Sequence, residues 1–382
     1  MTIYLDNHML TQPSPRVIER VVDFLKRDWH FPEAPYLKDE EPFEAMAQGE
    51  KSIRALLGVT EGDELVMIGS AREGLWKVID AFCLHTCLQG ERGVIWTTPT
   101  SPPSLLLGMQ KWLPMGCSIR YLPLDEHGQI TPDALRSSLS SSPSLISLPG
   151  ANGLTGVVHL TEEWAEVAAD HRVLFHVDAS DLIGKIDVRF ASLCPDVLTF
   201  DGAQIHGLQG SGAALVRVPF KMQEVLSSFC EKGHLTLHLS EWIGLSTACE
   251  EAEEHIDHLC METARLRNQL EERLVDQLVD VYPLFSEVER VPHITCISFS
   301  GVEAELLAFM LRKRGVVVSI GGGKEQELET MLTAIGMAPQ IAKCAISLGL
   351  SRLTTEEEIE RGVEIIAESV EQCRHFSKEF VP

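Results

Sequence analysis

From about residue 60 onward, short apolar runs alternate with stretches whose apolar residues recur every three or four positions. The runs 64–68, 93–97, 118–122, 145–148 and 173–177 read as strands, and 71–87, 104–112, 132–138 and 162–170 between them read as helices. Two more strand-like runs, 197–200 and 213–216, follow without a long intervening helix. Such βα alternation predicts a mainly parallel sheet with helices on both faces. Beyond about residue 240 the pattern changes. A helical pattern covers 241–278, with Ile256, Leu259 and Leu266 set among charges. Strands at 294–299 and 316–319 flank a helix at 304–314. Thr354 and Glu357 have the spacing of a capping box at the head of the last helix. This half reads as a smaller α+β unit, and the serine-rich run 137–144 as a loop.

Composition narrows the picture. A chain of 382 residues is too long for one small core. Hydrophobic residues at 45% and charged residues at 23% are ordinary for a globular protein. No stretch approaches the roughly 20 apolar residues that span a bilayer, and the opening residues lack the pattern of a signal peptide. The expectation is a cytoplasmic protein with no membrane association. A formal net charge of −24 repels a polyanion, which argues against nucleic acid as a partner.

Ten cysteines without a paired framework fit reduced thiols. Cys83 and Cys87 flank His85, but a metal site wants further ligands at comparable spacing, so buried helix cysteines are the expectation. His255 and His258 share a helix face with Glu251 and Glu254, as on an exposed helix surface. No G-x-G-x-x-G follows the first strand, which excludes a Rossmann dinucleotide site; Gly321-Gly322-Gly323 reads as a flexible loop.

Several segments carry candidate chemistry. They are Ile3-Tyr4-Leu5-Asp6-Asn7, His176-Val177-Asp178-Ala179-Ser180 with Gly184-Lys185, Asp201-Gly202-Ala203-Gln204-Ile205-His206-Gly207, and Ser347-Leu348-Gly349. Asp178 closes an apolar strand, and the carboxyl ends of such strands are where open α/β sheets bind ligands. Read alone, Asp178 equally fits a cap on the turn that follows.

In their order along nearly the whole chain, these segments resemble the cysteine desulfurases of the class V aminotransferase family. The resemblance implies the pyridoxal-phosphate (PLP)-dependent transferase-like fold of the aspartate aminotransferase superfamily. Its large domain, over 15–250, would hold the mainly parallel sheet, and 1–14 with 251–382 would form a small α+β domain. By the same resemblance Asp178 matches the carboxylate that keeps the cofactor's pyridine nitrogen protonated. Asn152 matches the partner of the ring oxygen, and Ser180 a hydroxyl beside the cofactor. A homodimer is also implied.

The departures are equally specific. The family's Schiff-base lysine position is Gln204, whose amide is not a nucleophile. The histidine position before it is Ala203. Asp201 stands where the family places a phosphate-binding hydroxyl, which opposes a phosphate dianion by like charge. The phosphate loop reads Ser70-Ala71-Arg72, where Arg72 offers a grip on an anion. Pro102 occupies the stacking-histidine position, Ala345 the position of the carboxylate-clamping arginine, and Lys324 that of the nucleophilic cysteine. The family's Arg-Ser-Gly-Thr segment falls near 233–236.

Together these losses point to a non-catalytic binding or assembly protein, with PLP not held covalently or absent. A sulfur-transfer or iron–sulfur assembly protein is the partner that family context suggests. The alternative is a transferase or lyase of altered chemistry on an amino-acid substrate, using PLP or pyridoxamine phosphate. A third is an unrelated small-molecule or structural role on the same fold.

Overall fold

The computed structural model describes residues 2–27, 42–59, 62–139, 144–159, 162–187, 190, 195–217, 239–323 and 325–380. Lys324, and the segment 233–236 aligned with the family's Arg-Ser-Gly-Thr, lie outside the described residues.

The apolar runs become strands at the expected places. The first is β1 (Ile3–Tyr4); β2 (Glu64–Ile68), β3 (Val94–Thr97), β4 (Ser118–Tyr121) and β5 (Ser144–Pro149) follow, then β6 (Leu174–Asp178), β7 (Val197–Asp201) and β8 (Gly212–Val216). The last seven form one sheet in the order β2-β8-β7-β6-β5-β3-β4. Neighbours from β7 to β4 pair in parallel, and only β8 runs against the rest. A tight turn suffices to return an antiparallel strand, which is why no long helix separates β7 from β8.

Both faces of the inner strands are covered, so β3, β5 and β8 are buried nearly along their whole length, whereas the edge strand β4 is exposed at Arg120 and Tyr121. On one face Trp96, Ile146, Phe175 and Phe200 join Trp164, Trp242 and Leu245. On the other, Ile68, Ile95, Leu145 and Val197 meet Leu75, Val78, Ile79 and Phe82 of the Ala71–Leu88 helix.

The second half carries β9 (Val281–Leu284), β10 (Ile294–Phe299), β11 (Val316–Val317) and β12 (Ala345–Gly349). β9, β10 and β12 make an antiparallel sheet, while β1 pairs in parallel with β11, so the N-terminal residues lie among those of the C-terminal half. Ile297, Phe299, Ile346 and Leu348 pack with Leu266, Leu270 and Leu274 and with Ile359, Val363 and Ile366 of the Glu356–Phe380 helix.

Three local expectations are corrected. The capping box lies one residue further on: Glu358 N–H donates to the Thr355 hydroxyl at 3.2 Å, and Thr355 N–H donates to the Glu358 carboxylate at 3.1 Å. Thr354 instead accepts from Ser351 N–H at 2.9 Å, closing the preceding turn. The helical pattern over 241–278 is not one continuous α-helix, because a π-helical turn at Leu259–Thr263 interrupts it between Leu239–Glu254 and Ala264–Gln277. Nor is Glu251 on an exposed face. It is buried, accepts from the Ser14 hydroxyl and pairs with Arg352 at 3.1 Å. Ser14, 237 residues away along the chain, and Arg352 are invisible to helical periodicity, yet they engage that carboxylate.

Candidate functional site

The carboxyl ends of β5, β6 and β7 open into a cavity of about 250 Å³. Its walls include Asn152, Asp178, Ser180, Asp201 and Gln204 from the strand ends, Ser70, Ala71 and Arg72 from the head of the Ala71–Leu88 helix, and Pro102. The structure thus brings together nearly all the positions singled out in the sequence. Ala203 sits behind this wall, buried, with its carbonyl accepting from the Thr11 N–H and hydroxyl at 3.0 and 2.9 Å.

Asp178 ends β6, where its backbone faces Pro149 and Thr199 on the flanking strands. One carboxylate oxygen accepts from Ser180 N–H at 3.0 Å and from the Ser180 hydroxyl at 2.6 Å. Ser180 therefore both caps the turn and orients the carboxylate, and its hydroxyl oxygen also accepts from Asp201 N–H at 3.1 Å. Burial pushes Asp178 up to about 6; the Ser180 bonds oppose this, and the charges of Asp181 and Asp201 reinforce it. Two residues earlier, His176 bridges the sheet beneath the cavity, with Nδ1 2.9 Å from the Ser147 hydroxyl and Nε2 3.0 Å from the Thr199 hydroxyl. Burial pushes it down to about 3, so it is a neutral strut.

Gln204 lies in the turn after β7. That turn is closed by Gly207 N–H donating to the Gly202 carbonyl at 2.9 Å. A Cβ on Gly207 would fall 2.7 Å from that carbonyl oxygen, so only glycine fits. His206 follows with a left-handed φ of 66°, held by Thr11, whose hydroxyl accepts from its N–H at 2.8 Å. The Gln204 side chain is buried and engaged at both ends. Its Oε1 accepts from the Lys185 ammonium at 3.0 Å, and its Nε2 donates to the His8 carbonyl at 3.0 Å. Since an ammonium can only donate, this orientation of the amide is the one the network permits.

Asn152 is equally committed: its Oδ1 accepts from Leu154 and Thr155 N–H at 3.0 and 2.9 Å, and its Nδ2 lies 3.1 Å from Met331 Sδ. Ala345 is buried in β12, packed with Leu154 and Met331. Pro102 follows a knot of hydroxyls in which Thr97 and Ser101 meet at 2.7 Å. Gln326 ties the loop from the second half across this turn, donating to the Pro99 and Ser101 carbonyls at 2.7 Å each. Glu325 thereby reaches the cavity wall.

Sequence reasoning missed Asp181, Thr100, Ser104 and Glu325, which also line the cavity. It also missed the role of Lys185. Asp181 had a visible signal, a second carboxylate three residues after Asp178; Glu325 had none, because loop docking brings it there.

The comparisons with known proteins agree with this geometry. A solved NifS-like protein superposes with a TM-score of 0.85 at 23% identity, covering 97% of this chain and 100% of that one. A NifS-like protein from Rickettsia africae gives 0.80 at 20%, covering 97% and 100%. The fold is therefore the one these NifS-like proteins have. The sequence profile described as aminotransferase class-V matches residues 3–361. The chain belongs to that family, alongside the cysteine desulfurases. A cysteine desulfurase of Trichormus azollae is 30% identical over 98% of this chain and 94% of its own length. The cysteine desulfurase IscS of Methanosarcina thermophila is 25% identical over 98% and 93%.

The family is PLP-dependent, and the cavity residues test that cofactor's fit. Among the described residues no lysine amine lines the cavity, while Asp178, Asp181, Asp201 and Glu325 do. Gln204, which the sequence resemblance aligns with the family's lysine, has its amide bonded at both ends to protein groups. These residues do not fit a covalently anchored pyridoxal phosphate, and Asp201 opposes its phosphate by charge.

Proposed function

We propose that this protein keeps the class-V aminotransferase fold as a non-catalytic binding or assembly component, without cysteine desulfurase turnover. One observation carries the reading: Gln204, at the Schiff-base position, spends its amide on Lys185 and the His8 carbonyl. A Schiff base needs a free primary amine, which an amide does not supply. Pro102 at the stacking-histidine position and Lys324 at the nucleophilic-cysteine position remove two further groups. The protein acts in the cytoplasm as a homodimer. Relatives that are cysteine desulfurases support a sulfur-transfer or iron–sulfur assembly protein as its partner.

Sulfide release from cysteine, with and without added pyridoxal phosphate, tests this, and none is expected. Turnover that survives mutation of Gln204 would overturn it and point to Lys324 or another amine.

A second reading rests on the open cavity beside Asp178. There Asp178, Asn152 and Arg72 hold pyridoxal or pyridoxamine phosphate without a covalent link, for altered chemistry on an amino acid. Cofactor absorbance in purified protein that vanishes on gel filtration would favour it over the first.

A further inference from the structure

The cysteines flanking His85 acquire a partner that their spacing did not reveal. Cys87, near the end of the Ala71–Leu88 helix, has its Sγ 3.9 Å from Sγ of Cys117, which directly precedes the edge strand β4. Cys117 is buried and Cys87 half-buried, so Cys87 is the more accessible residue of the pair.

The approach is held from both sides. Asp80, on the same helix as Cys87, accepts from Trp112 Nε1 at 2.7 Å and from the Lys111 ammonium at 2.6 Å, which pins the segment leading to Cys117. Ser118 N–H donates to the Gly93 carbonyl at 3.0 Å and fixes the other side. Cys83, one turn before Cys87, is fully buried, with its Sγ 4.0 Å from Met109 Sδ. Among the described residues no three groups are arranged to hold a metal ion, so the cluster is a set of thiols rather than a metal centre.

We propose that Cys87 and Cys117 are a redox modification site, forming an intramolecular disulfide with a small-molecule disulfide such as oxidised glutathione. The Cys87 thiolate attacks one sulfur of that disulfide, forming a mixed disulfide and expelling one glutathione thiolate. The Cys117 thiolate then attacks Cys87 Sγ and expels the second. Two protein thiols are oxidised and one small disulfide is reduced to two thiols, the two expelled thiolates taking up the two protons the cysteines give up. Closing the sulfurs from 3.9 Å to a bond of about 2.05 Å is a movement shared between two side chains. Cys87 is the entry point because it is the accessible thiol. Burial and its contact with Cys117 push its pKa up while Arg92 pulls it down, so attack is slow near neutral pH and faster above it. Cys83 is excluded as first attacker, because burial with the neighbouring Cys117 and Cys87 pushes its thiol far up.

The two cysteines are 30 residues apart. The loop they close contains Thr100, Pro102 and Ser104 of the cavity wall. Cross-linking restricts that loop in the unfolded chain and so stabilises the fold. The inference does not depend on whether the cavity takes a cofactor.

The test is peptide mapping of folded full-length protein equilibrated with oxidised glutathione, with thiols counted after unfolding. Wild type is expected to show a Cys87–Cys117 link, two fewer thiols and no retained glutathione. Cys117→Ser should stop at a glutathione adduct on Cys87, and Cys87→Ser should form no link. The linked wild type should melt a few degrees higher and return to its starting value with dithiothreitol. Glutathione persisting on Cys87 in wild type, a Cys83–Cys87 link, or unchanged thiols in the folded protein would each overturn the proposal.

Discussion

The Lys185 ammonium donates to the side-chain carbonyl of Gln204 at 3.0 Å, and the same ammonium donates to the Ser180 carbonyl at 3.0 Å. Both side chains are buried. Gln204 passes the connection on to the His8 carbonyl, so one amide joins the β6 end, the β7 turn and the N-terminal segment. A neutral acceptor suits this place because a buried ammonium without one is costly.

Replacing Gln204 by Lys is therefore more than an addition of an amine. It sets a second ammonium against Lys185 in a buried site, which like-charge repulsion and desolvation disfavour. The expected result is a loss of about 2–4 kcal/mol in urea unfolding and weak or no aldimine absorbance with pyridoxal phosphate. Combining it with Asp201→Ser should improve cofactor binding over either change alone, since the two act on different parts of one ligand. Spectral titration of the four proteins with borohydride trapping is the measurement. Strong aldimine formation in the unmutated protein would contradict the non-catalytic reading.

Asp178 gives a pH signature. Its folded-state value of about 6 lies above its ordinary 3.8, so the folded protein holds this proton more tightly than the unfolded chain. Its contribution is present below about pH 4 and lost as pH rises toward 6. Asn keeps the acceptor for both Ser180 bonds without the charge. Asp178→Asn should then be more stable than wild type at pH 7 by about 1–3 kcal/mol, with the gap closing near pH 4. Asp178 keeps some contact with the cavity, which places the effect toward the lower figure. Equal stability at both pH values would show that the carboxylate carries no burial penalty.

Glu251 is a structural keystone. It meets the Ser14 hydroxyl and Arg352, with side-chain exposures of only 11% for Glu251 and 5% for Arg352. Glu251→Ala leaves a buried guanidinium unpaired and should lower stability by about 3–5 kcal/mol in chemical denaturation. A loss below about 1 kcal/mol would mean that water replaces the carboxylate at no cost.

Much of the architecture was legible in residue order. The apolar runs located the strands within a residue or two, because a strand buried on both faces must be apolar throughout. That position 204 carries an amide and position 201 a carboxylate was readable because residue identity alone decides whether an amine or a hydroxyl is present. Periodicity records which side of an element is buried, but not which distant segment covers it. The meeting of Lys185 with Gln204, the docking of Gln326 on the Pro99–Ser101 turn, the burial of Glu251 and the contact of Cys87 with Cys117 were decided only by tertiary packing. Each joins groups from separate elements, and the free energy of each arises only once the chain has brought them together and excluded water between them.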